Sequence, residues 1–246
     1  MNKHFCGEKL PVLVAALSAA ALVLRRLLYL TAVDGKGLLL RWHPLTVVLT
    51  VLTAAAFVMI ILAVRKRNGS SAYEDNYSAG ATAALGHVAM ALGVLMTVLT
   101  NPSRVAGHLG TAWWWLGLAA PVCLLLAGIA RLLGRKPFFL LHMLPCLFFV
   151  VHIVNHYQLW SGNPQLQDYV FSLLGTMALT FFSFYTAAAE AGIGNRRMIL
   201  GMGLTGMYLC FVELAWTAYP MLYLGGILWT ATGMCRLQPV PAREKE

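Results

Sequence analysis

The feature that most constrains this chain is a series of long apolar runs, each about as long as a helix that crosses a lipid bilayer. Such a helix needs about 20 mostly apolar residues to cross the roughly 30 Å hydrocarbon core. Charged residues, Gly or Pro separate eight runs, at residues 11–33, 45–64, 81–100, 113–130, 138–160, 169–191, 198–217 and 219–235. The sequence therefore predicts an all-α, polytopic integral membrane helical bundle of about eight transmembrane helices. The count becomes seven if residues 218–220 fail to divide the last two runs.

The composition agrees with a membrane protein and excludes several other classes. Apolar residues make up 59% of the chain and charged residues only 11%, whereas a soluble domain carries about 25% charged residues. This balance argues against a soluble enzyme, a disordered chain and a nucleic-acid-binding domain. The loops are too short to fold alone, so we predict a single transmembrane domain over residues 1–237 and a polar cytoplasmic tail over 238–246.

Basic residues predict the orientation, because Lys and Arg concentrate in short cytoplasmic loops. If both termini are cytoplasmic, the inner segments hold Lys3, Lys9, Arg65, Lys66, Arg67, Arg131, Arg135, Lys136, Arg196, Arg197, Arg236, Arg243 and Lys245. The outer loops then hold only Lys36, Arg41 and Arg104. We therefore expect a protein of the plasma (inner) membrane with both termini inside. The bilayer is its expected partner, and the net charge of +9 needs no nucleic acid to explain it.

The fifth run carries three histidines on one helical face. At about 100° per residue, His152 and His156 lie about 280° and about 320° around the helix from His142. We expect this face, with Pro145 and Phe149, to point into the bundle, because imidazoles turned toward lipid would lack hydrogen-bond partners. The simplest role for each imidazole is a hydrogen bond to a neighbouring helix.

A metal site is an alternative for part of the same face. His152 and His156 are four residues apart, a spacing by which one helix can present two imidazoles to a single zinc ion. The third ligand would be Glu213 or His43. No acidic residue lies between the two histidines, and Asn155 is a poor substitute for a general base.

Three further ionisable residues lie within runs, at similar predicted depth near the outer side. Arg25 and Arg26 are in the first run and Glu213 is in the seventh. A charge inside a membrane needs a partner, so we predict that at least one of the arginines pairs with Glu213. We expect His152 and His156 to join this group, which with Asn155 gives the candidate ligand-binding residues. A purely structural ion pair between the two helices is the alternative.

The sixth run has a stripe of small and hydroxyl residues that ends in a carboxylate. Its members fall within an arc of about 80° on the helix: Ser172, Thr176, Thr180, Ser183 and Glu190. Such a stripe usually allows close helix packing and hydrogen bonds between helices. The alternative is that it lines a hydrated path from the outer side toward Glu190.

These observations favour a small transporter or a ligand-binding membrane component whose outer site takes a small polar or anionic solute. The first alternative is an intramembrane metal-dependent hydrolase that uses His152 and His156. The second is a membrane scaffold or sensor subunit without chemistry of its own. No cofactor is predicted outright; besides zinc, a b-type haem held by His87 and His142 is an alternative. The sequence does not identify the solute, a coupling ion, the oligomeric state or a protein partner.

Overall fold

The computed structural model describes residues 5–32, 43–65, 80–100, 108–160 and 169–235. Within these ranges every regular element is an α-helix, as the apolar runs predict. The helices are α1 (Phe5–Thr31), α2 (Pro44–Arg65), α3 (Ala81–Thr100), α4 (His108–Leu132), α5 (Leu140–Trp160), α6 (Val170–Glu190), α7 (Arg196–Leu214) and α8 (Pro220–Cys235). The tail at 238–246 and some basic loop residues, such as Lys66 and Arg67, lie outside the described residues.

Seven of the eight helices are long and apolar enough to cross a membrane. The exception is α8, which has 16 residues and spans about 24 Å at 1.5 Å per residue, less than the roughly 30 Å of a hydrocarbon core. Residues 215–219 separate α8 from α7, so the predicted division of the last two runs is present. Within the part of the chain that the structure describes, the protein is a helical membrane bundle with seven helices long enough to cross a membrane and a shorter eighth.

The helix ends follow from residues with fixed backbone preferences. Pro44 and Pro220 are the first residues of α2 and α8, where a missing N–H costs nothing. Asn195 caps α7 by accepting a hydrogen bond from the Arg197 backbone N–H at 3.0 Å. Gly134 and Gly192 follow α4 and α6 with positive φ angles of 70° and 83°, the usual glycine ending of a helix. Short turns therefore bring α5 back beside α4, α7 beside α6 and α8 beside α7.

The helices from α3 to α8 form a closed series in which each packs on the next and α8 packs back on α3. Outside this series, α1 packs on α7, and α2 packs on both α1 and α7. The α3–α8 contact is especially close. A Cβ atom added to Gly93 would lie 2.5 Å from the Met221 carbonyl oxygen, and one added to Gly225 would lie 2.7 Å from that of Ala89. Glycines of this kind let helix backbones approach within a membrane.

The bundle has two ends that carry different polar residues. The ends of α4 and α6 and the starts of α3, α5 and α7 lie together at what we call the Glu190 end. The last turns of α1 and α7 and the starts of α6 and α8 lie at the opposite end, which we call the Glu213 end. From Arg196 to Glu213, α7 rises about 25 Å at 1.5 Å per residue, so the two ends are on opposite sides of the bundle.

Candidate functional site

A buried ion pair joins α1 to α7 at the Glu213 end. Buried residues recur every three or four positions along α1, at Val14, Ser18, Ala21, Arg25 and Leu28, and this spacing turns Arg25 toward the bundle. The Arg25 guanidinium donates from Nη1 to the Glu213 carboxylate and, at 3.2 Å, to the Val212 carbonyl oxygen. Both side chains are almost fully buried. The prediction that one of the two arginines pairs with Glu213 is confirmed.

The neighbouring arginine, Arg26, is exposed and contacts the same end of α7. Its Nη1 donates to the Ala215 carbonyl oxygen at 3.3 Å, and its guanidinium lies 5.9 Å from the ring centre of Trp216. The last carbonyls of a helix have no partner within the helix and carry partial negative charge. The two arginines therefore hold α1 against the C-terminus of α7, which is a structural role for both.

A cavity of about 590 Å³ opens beside this ion pair. Its wall is formed by the start of α6, the last turn of α7 and the turn into α8, together with one arginine of α1. The residues that line it are Arg26, Tyr169, Ser172, Glu213, Leu214, Ala215, Trp216, Thr217, Ala218, Tyr219 and Pro220. We call it the Glu213 cavity. Since Arg25 neutralises Glu213, the charge that remains among the described residues of its wall is the positive charge of Arg26.

The outer histidines of α5 do not contact Glu213, which corrects the prediction of one joint cluster. His152 Nδ1 accepts a hydrogen bond from the indole N–H of Trp113 on α4 at 3.1 Å. His156 Nδ1 lies 3.3 Å from the hydroxyl of Tyr219, which also lines the Glu213 cavity. The phenol thus stands between the histidine pair and the cavity. Asn155, with 1% exposure, is buried beside the two histidines on α5.

The geometry of the histidine pair gives no support to the metal-site alternative. The two rings meet edge to face, with centres 4.1 Å apart, and each Nδ1 already has a different partner. Among the described residues, no three His, Cys, Asp or Glu side chains group as metal ligands. Glu213 contacts Arg25, and His43 Nδ1 accepts from the Leu45 backbone N–H at 3.4 Å. Neither expected third ligand therefore approaches the pair.

Four helices bring buried ionisable side chains together at the Glu190 end. His142 Nδ1 lies 2.8 Å from Glu190 Oε2, and Arg131 Nη2 donates to Glu190 Oε1 at 3.2 Å. On its other side, His142 Nε2 lies 3.0 Å from His87 Nε2, while His87 Nδ1 lies 2.7 Å from the Ala83 carbonyl oxygen. We call His87, Arg131, His142 and Glu190 the Glu190 cluster. All four side chains are buried, with at most 4% exposure.

This cluster bears on what satisfies His142. The partners expected for the inward histidines were the sixth-run hydroxyls and Glu213; the carboxylate that contacts His142 is Glu190, at the end of the same sixth run. The haem alternative requires His87 and His142 to face each other across a macrocycle. Instead, their Nε2 atoms are within hydrogen-bond distance, so a haem would have to force the two rings apart.

The inward orientation of the α5 face is confirmed. His142, Pro145, Phe149, His152 and His156 are all buried. Proline at 145 removes a backbone donor from the first turns of α5. Close to that interruption, the Ser183 hydroxyl of α6 donates to the His142 carbonyl oxygen at 2.7 Å.

The hydroxyl stripe of α6 contacts two neighbouring helices. Ser172 Oγ lies 2.5 Å and Thr176 Oγ1 lies 3.4 Å from the Tyr223 hydroxyl of α8. Thr180 donates to the Thr176 carbonyl oxygen of its own helix at 2.8 Å. Ser183 and Glu190 contact His142 of α5, so the stripe serves the close packing and hydrogen bonding that its residues favour. These contacts form a series of polar groups along the length of α6.

Several residues at these sites were not identified from the sequence. Arg131 was assigned to a cytoplasmic loop, yet it is buried at the end of α4. The spacing of Gly110, Trp113, Gly117, Ala120, Leu124, Ala127 and Arg131, all buried, alternates between three and four residues and could have placed it on the inner face. Tyr219 and Tyr223 had no such signal, because an apolar run that starts with a tyrosine is equally typical of a membrane interface.

Comparison of the chain with protein-family models, with curated proteins and with solved structures finds no match. The features that bear on function are therefore the Glu213 cavity, the histidine pair beside it and the Glu190 cluster.

Proposed function

We propose that this chain is a small membrane transporter that binds a small polar solute with an anionic group in the Glu213 cavity. The observation that carries this proposal is the cavity of about 590 Å³, whose wall contains the exposed Arg26 and the carboxylate of Glu213, which Arg25 neutralises. Cavities of about 300–1,000 Å³ are typical of sites that bind small molecules.

The residues around the cavity suggest how such a solute is held. Arg26 can donate two parallel hydrogen bonds to a carboxylate or a similar planar anion. The hydroxyls of Ser172, Thr217 and Tyr219 can orient its remaining polar groups. Glu213 can accept a hydrogen bond from a hydroxyl or an ammonium group of the same solute, which makes a zwitterion a suitable ligand.

The polar contacts that continue from the cavity into the bundle support transport over simple binding. The Tyr219 hydroxyl contacts His156, and the Tyr223 hydroxyl contacts both Ser172 and Thr176. Buried polar side chains are costly within a membrane and commonly mark the path of a solute or ion. A scaffold subunit has no need for a series of polar groups that continues from a cavity into the bundle.

We also propose that the protein lies in the plasma (inner) membrane with both termini in the cytoplasm. The distribution of basic residues supports this orientation, because it leaves only Lys36, Arg41 and Arg104 outside. The Glu213 cavity then opens toward the outer side and the Glu190 cluster lies near the cytoplasm.

A panel of small carboxylates and zwitterions tests the proposal. Purified protein in detergent is screened for compounds that raise its melting temperature, and each active compound is titrated against two variants. In Arg26→Gln the affinity should fall by about tenfold to about a hundredfold, because a hydrogen bond to a charged group contributes about 1.5–3 kcal/mol. In the control Arg135→Gln, which removes an exposed arginine at the opposite end, the affinity should not change.

Uptake of the radiolabelled compound into proteoliposomes then distinguishes a transporter from a receptor. Time-dependent accumulation in vesicles that contain the protein, reduced in Arg26→Gln, supports transport. Equal affinity in the wild type and Arg26→Gln, or binding without accumulation, contradicts it.

A further inference from the structure

The contacts of the Glu190 cluster determine how many hydrogens it must hold. His87 Nδ1 faces the carbonyl oxygen of Ala83 at 2.7 Å. A carbonyl oxygen only accepts hydrogen bonds, so this nitrogen carries a hydrogen. A neutral imidazole has one N–H and one acceptor nitrogen. If His87 is neutral, its Nε2 therefore has no hydrogen to give to His142.

Two contacts remain, and each needs one hydrogen between its atoms. They are the contact between the two Nε2 atoms at 3.0 Å and the contact between His142 Nδ1 and Glu190 Oε2 at 2.8 Å. A neutral His142 supplies one hydrogen, and an ionised Glu190 supplies none. The second hydrogen must be an additional proton. Without it, two lone pairs face each other in one of the two contacts.

We propose that the Glu190 cluster is a proton-binding site that holds one exchangeable proton, shared among Glu190, His142 and His87. The proton can reside on the Glu190 carboxyl, on the second nitrogen of His142 or on Nε2 of His87. Each arrangement fills both contacts, and each gives the cluster, with Arg131, the same net charge of one positive unit. Transfer between them needs only movement of hydrogens along the two existing contacts.

The groups around the cluster act on such a proton in opposite directions. The guanidinium of Arg131 on α4 compensates an ionised Glu190, and its positive charge opposes a second cation, so the proton is held by the two contacts that require it. From α8, the Trp229 ring lies parallel to the His142 ring at 6.1 Å, a position in which an indole face attracts a cationic imidazole. At this end α7 contributes the buried Arg196 and the exposed Arg197. Loss of the proton would break the contact of α5 with α3 or that with α6, so proton release is coupled to helix packing.

This inference is independent of the proposed solute site, because the two lie about 25 Å apart along α7. Glu190→Gln is the variant that tests it. A glutamine amide can donate to His142 Nδ1, His142 Nε2–H can donate to His87, and His87 can donate to Ala83. The variant therefore fills all three contacts without the additional proton, and its amide oxygen can still accept from Arg131. Loss of the Arg131 counter-charge lowers its stability at every pH alike, so the comparison uses the slope of stability with pH.

The first measurement is the pH dependence of unfolding in mixed micelles, from about pH 7 to about pH 9. In this pH range, Glu190 is ionised and His87 and His142 are mostly neutral in the unfolded chain, whereas the folded wild type holds one more proton. Stability should then fall as the pH rises, with the unfolding equilibrium constant growing up to tenfold per pH unit. Glu190→Gln should lack this one-proton dependence. An identical dependence in the two proteins overturns the proposal.

The second measurement locates the proton directly at about pH 7. Nitrogen-15 NMR of histidine-labelled protein, assigned with His87→Asn and His142→Asn, counts the protonated ring nitrogens, and infrared spectroscopy detects a protonated carboxyl that Glu190→Gln removes. Three protonated nitrogens in the two rings, or two together with a protonated Glu190, support the site. Two protonated nitrogens together with an ionised Glu190 overturn it.

Discussion

At the scale of single residues, Arg25 and Arg26 are neighbours on α1, but only one of the two charges is buried. Adjacent residues on a helix point about 100° apart, so only Arg25 can enter the buried seam of α1. There its charge is paired with Glu213 and covered by Phe171, whose ring centre lies 4.8 Å from the guanidinium carbon. Arg26 points outward, where it contacts a carbonyl of the α7 terminus and the Trp216 ring.

The Glu213→Gln variant should be strongly destabilised. The substitution keeps the shape of the side chain but leaves the Arg25 charge buried without its counter-charge. Loss of one partner of a buried pair commonly costs about 3–5 kcal/mol. The measurement is the free energy of unfolding in mixed micelles, and Arg26→Gln is the control, expected to lose no more than about 1 kcal/mol because its side chain is exposed.

The double variant Arg25→Met, Glu213→Leu tests whether the two charged side chains interact directly with each other. Replacing both charges by apolar side chains often restores stability, so the double variant should be more stable than either single one. A double variant whose loss equals the sum of the two single losses would contradict a direct interaction.

At the scale of elements, apolar length and Gly or Pro boundaries predict the helices closely. The run 81–100 coincides with α3, and the run 45–64 differs from α2 by one residue at each end. The packing order of the helices is not encoded in any single run. The packing order depends on the close contact of α3 with α8 through small residues. This order places His87 and Glu190 next to His142. For that reason the Arg25–Glu213 pair, which needs only equal depth, was predictable, whereas the Glu190 cluster was not.

The close α3–α8 contact predicts that Gly225→Ala destabilises the bundle. The new Cβ would lie 2.7 Å from the Ala89 carbonyl oxygen and 3.1 Å from the Met90 Cα, and backbone atoms cannot move aside as a flexible side chain can. Overpacking of this kind costs about 1–3 kcal/mol. Gly201→Ala on α7 is the matched control, because its nearest atoms are Val64 methyls at 3.8 and 3.9 Å.

Alanine is a better helix former than glycine by about 1 kcal/mol, so Gly201→Ala should be neutral or slightly stabilising. Melting temperatures of the two variants in one detergent give the comparison. If Gly225→Ala melted at or above the wild-type temperature, α3 and α8 would be less closely packed than described.

At the scale of the whole molecule, the buried ionisable side chains of the described residues concentrate toward the two ends of the bundle. The Glu213 end combines a cavity with an ion pair, and the Glu190 end holds a closed cluster in which each ionisable side chain contacts another. Between them the hydroxyls of α6 and the phenol of Tyr223 provide the buried polar contacts described above. Because the two ends differ, the orientation of the bundle in the membrane determines whether the Glu213 cavity or the Glu190 cluster lies on the outer side.

Single engineered cysteines at the two ends should report that orientation. Asn195 in the turn before α7 and Ala218 in the turn before α8 are both exposed, so a difference in labelling between Asn195→Cys and Ala218→Cys reflects the side of the membrane. In a background without the five native cysteines, a membrane-impermeant maleimide added to intact cells should label Ala218→Cys. It should label Asn195→Cys only after the membrane is permeabilised.

The reason for this expectation is that 13 of the 18 basic residues fall on the Asn195 side in the proposed topology, and basic residues concentrate in cytoplasmic loops. Labelling of Asn195→Cys in intact cells would reverse the topology and place the Glu213 cavity on the cytoplasmic side.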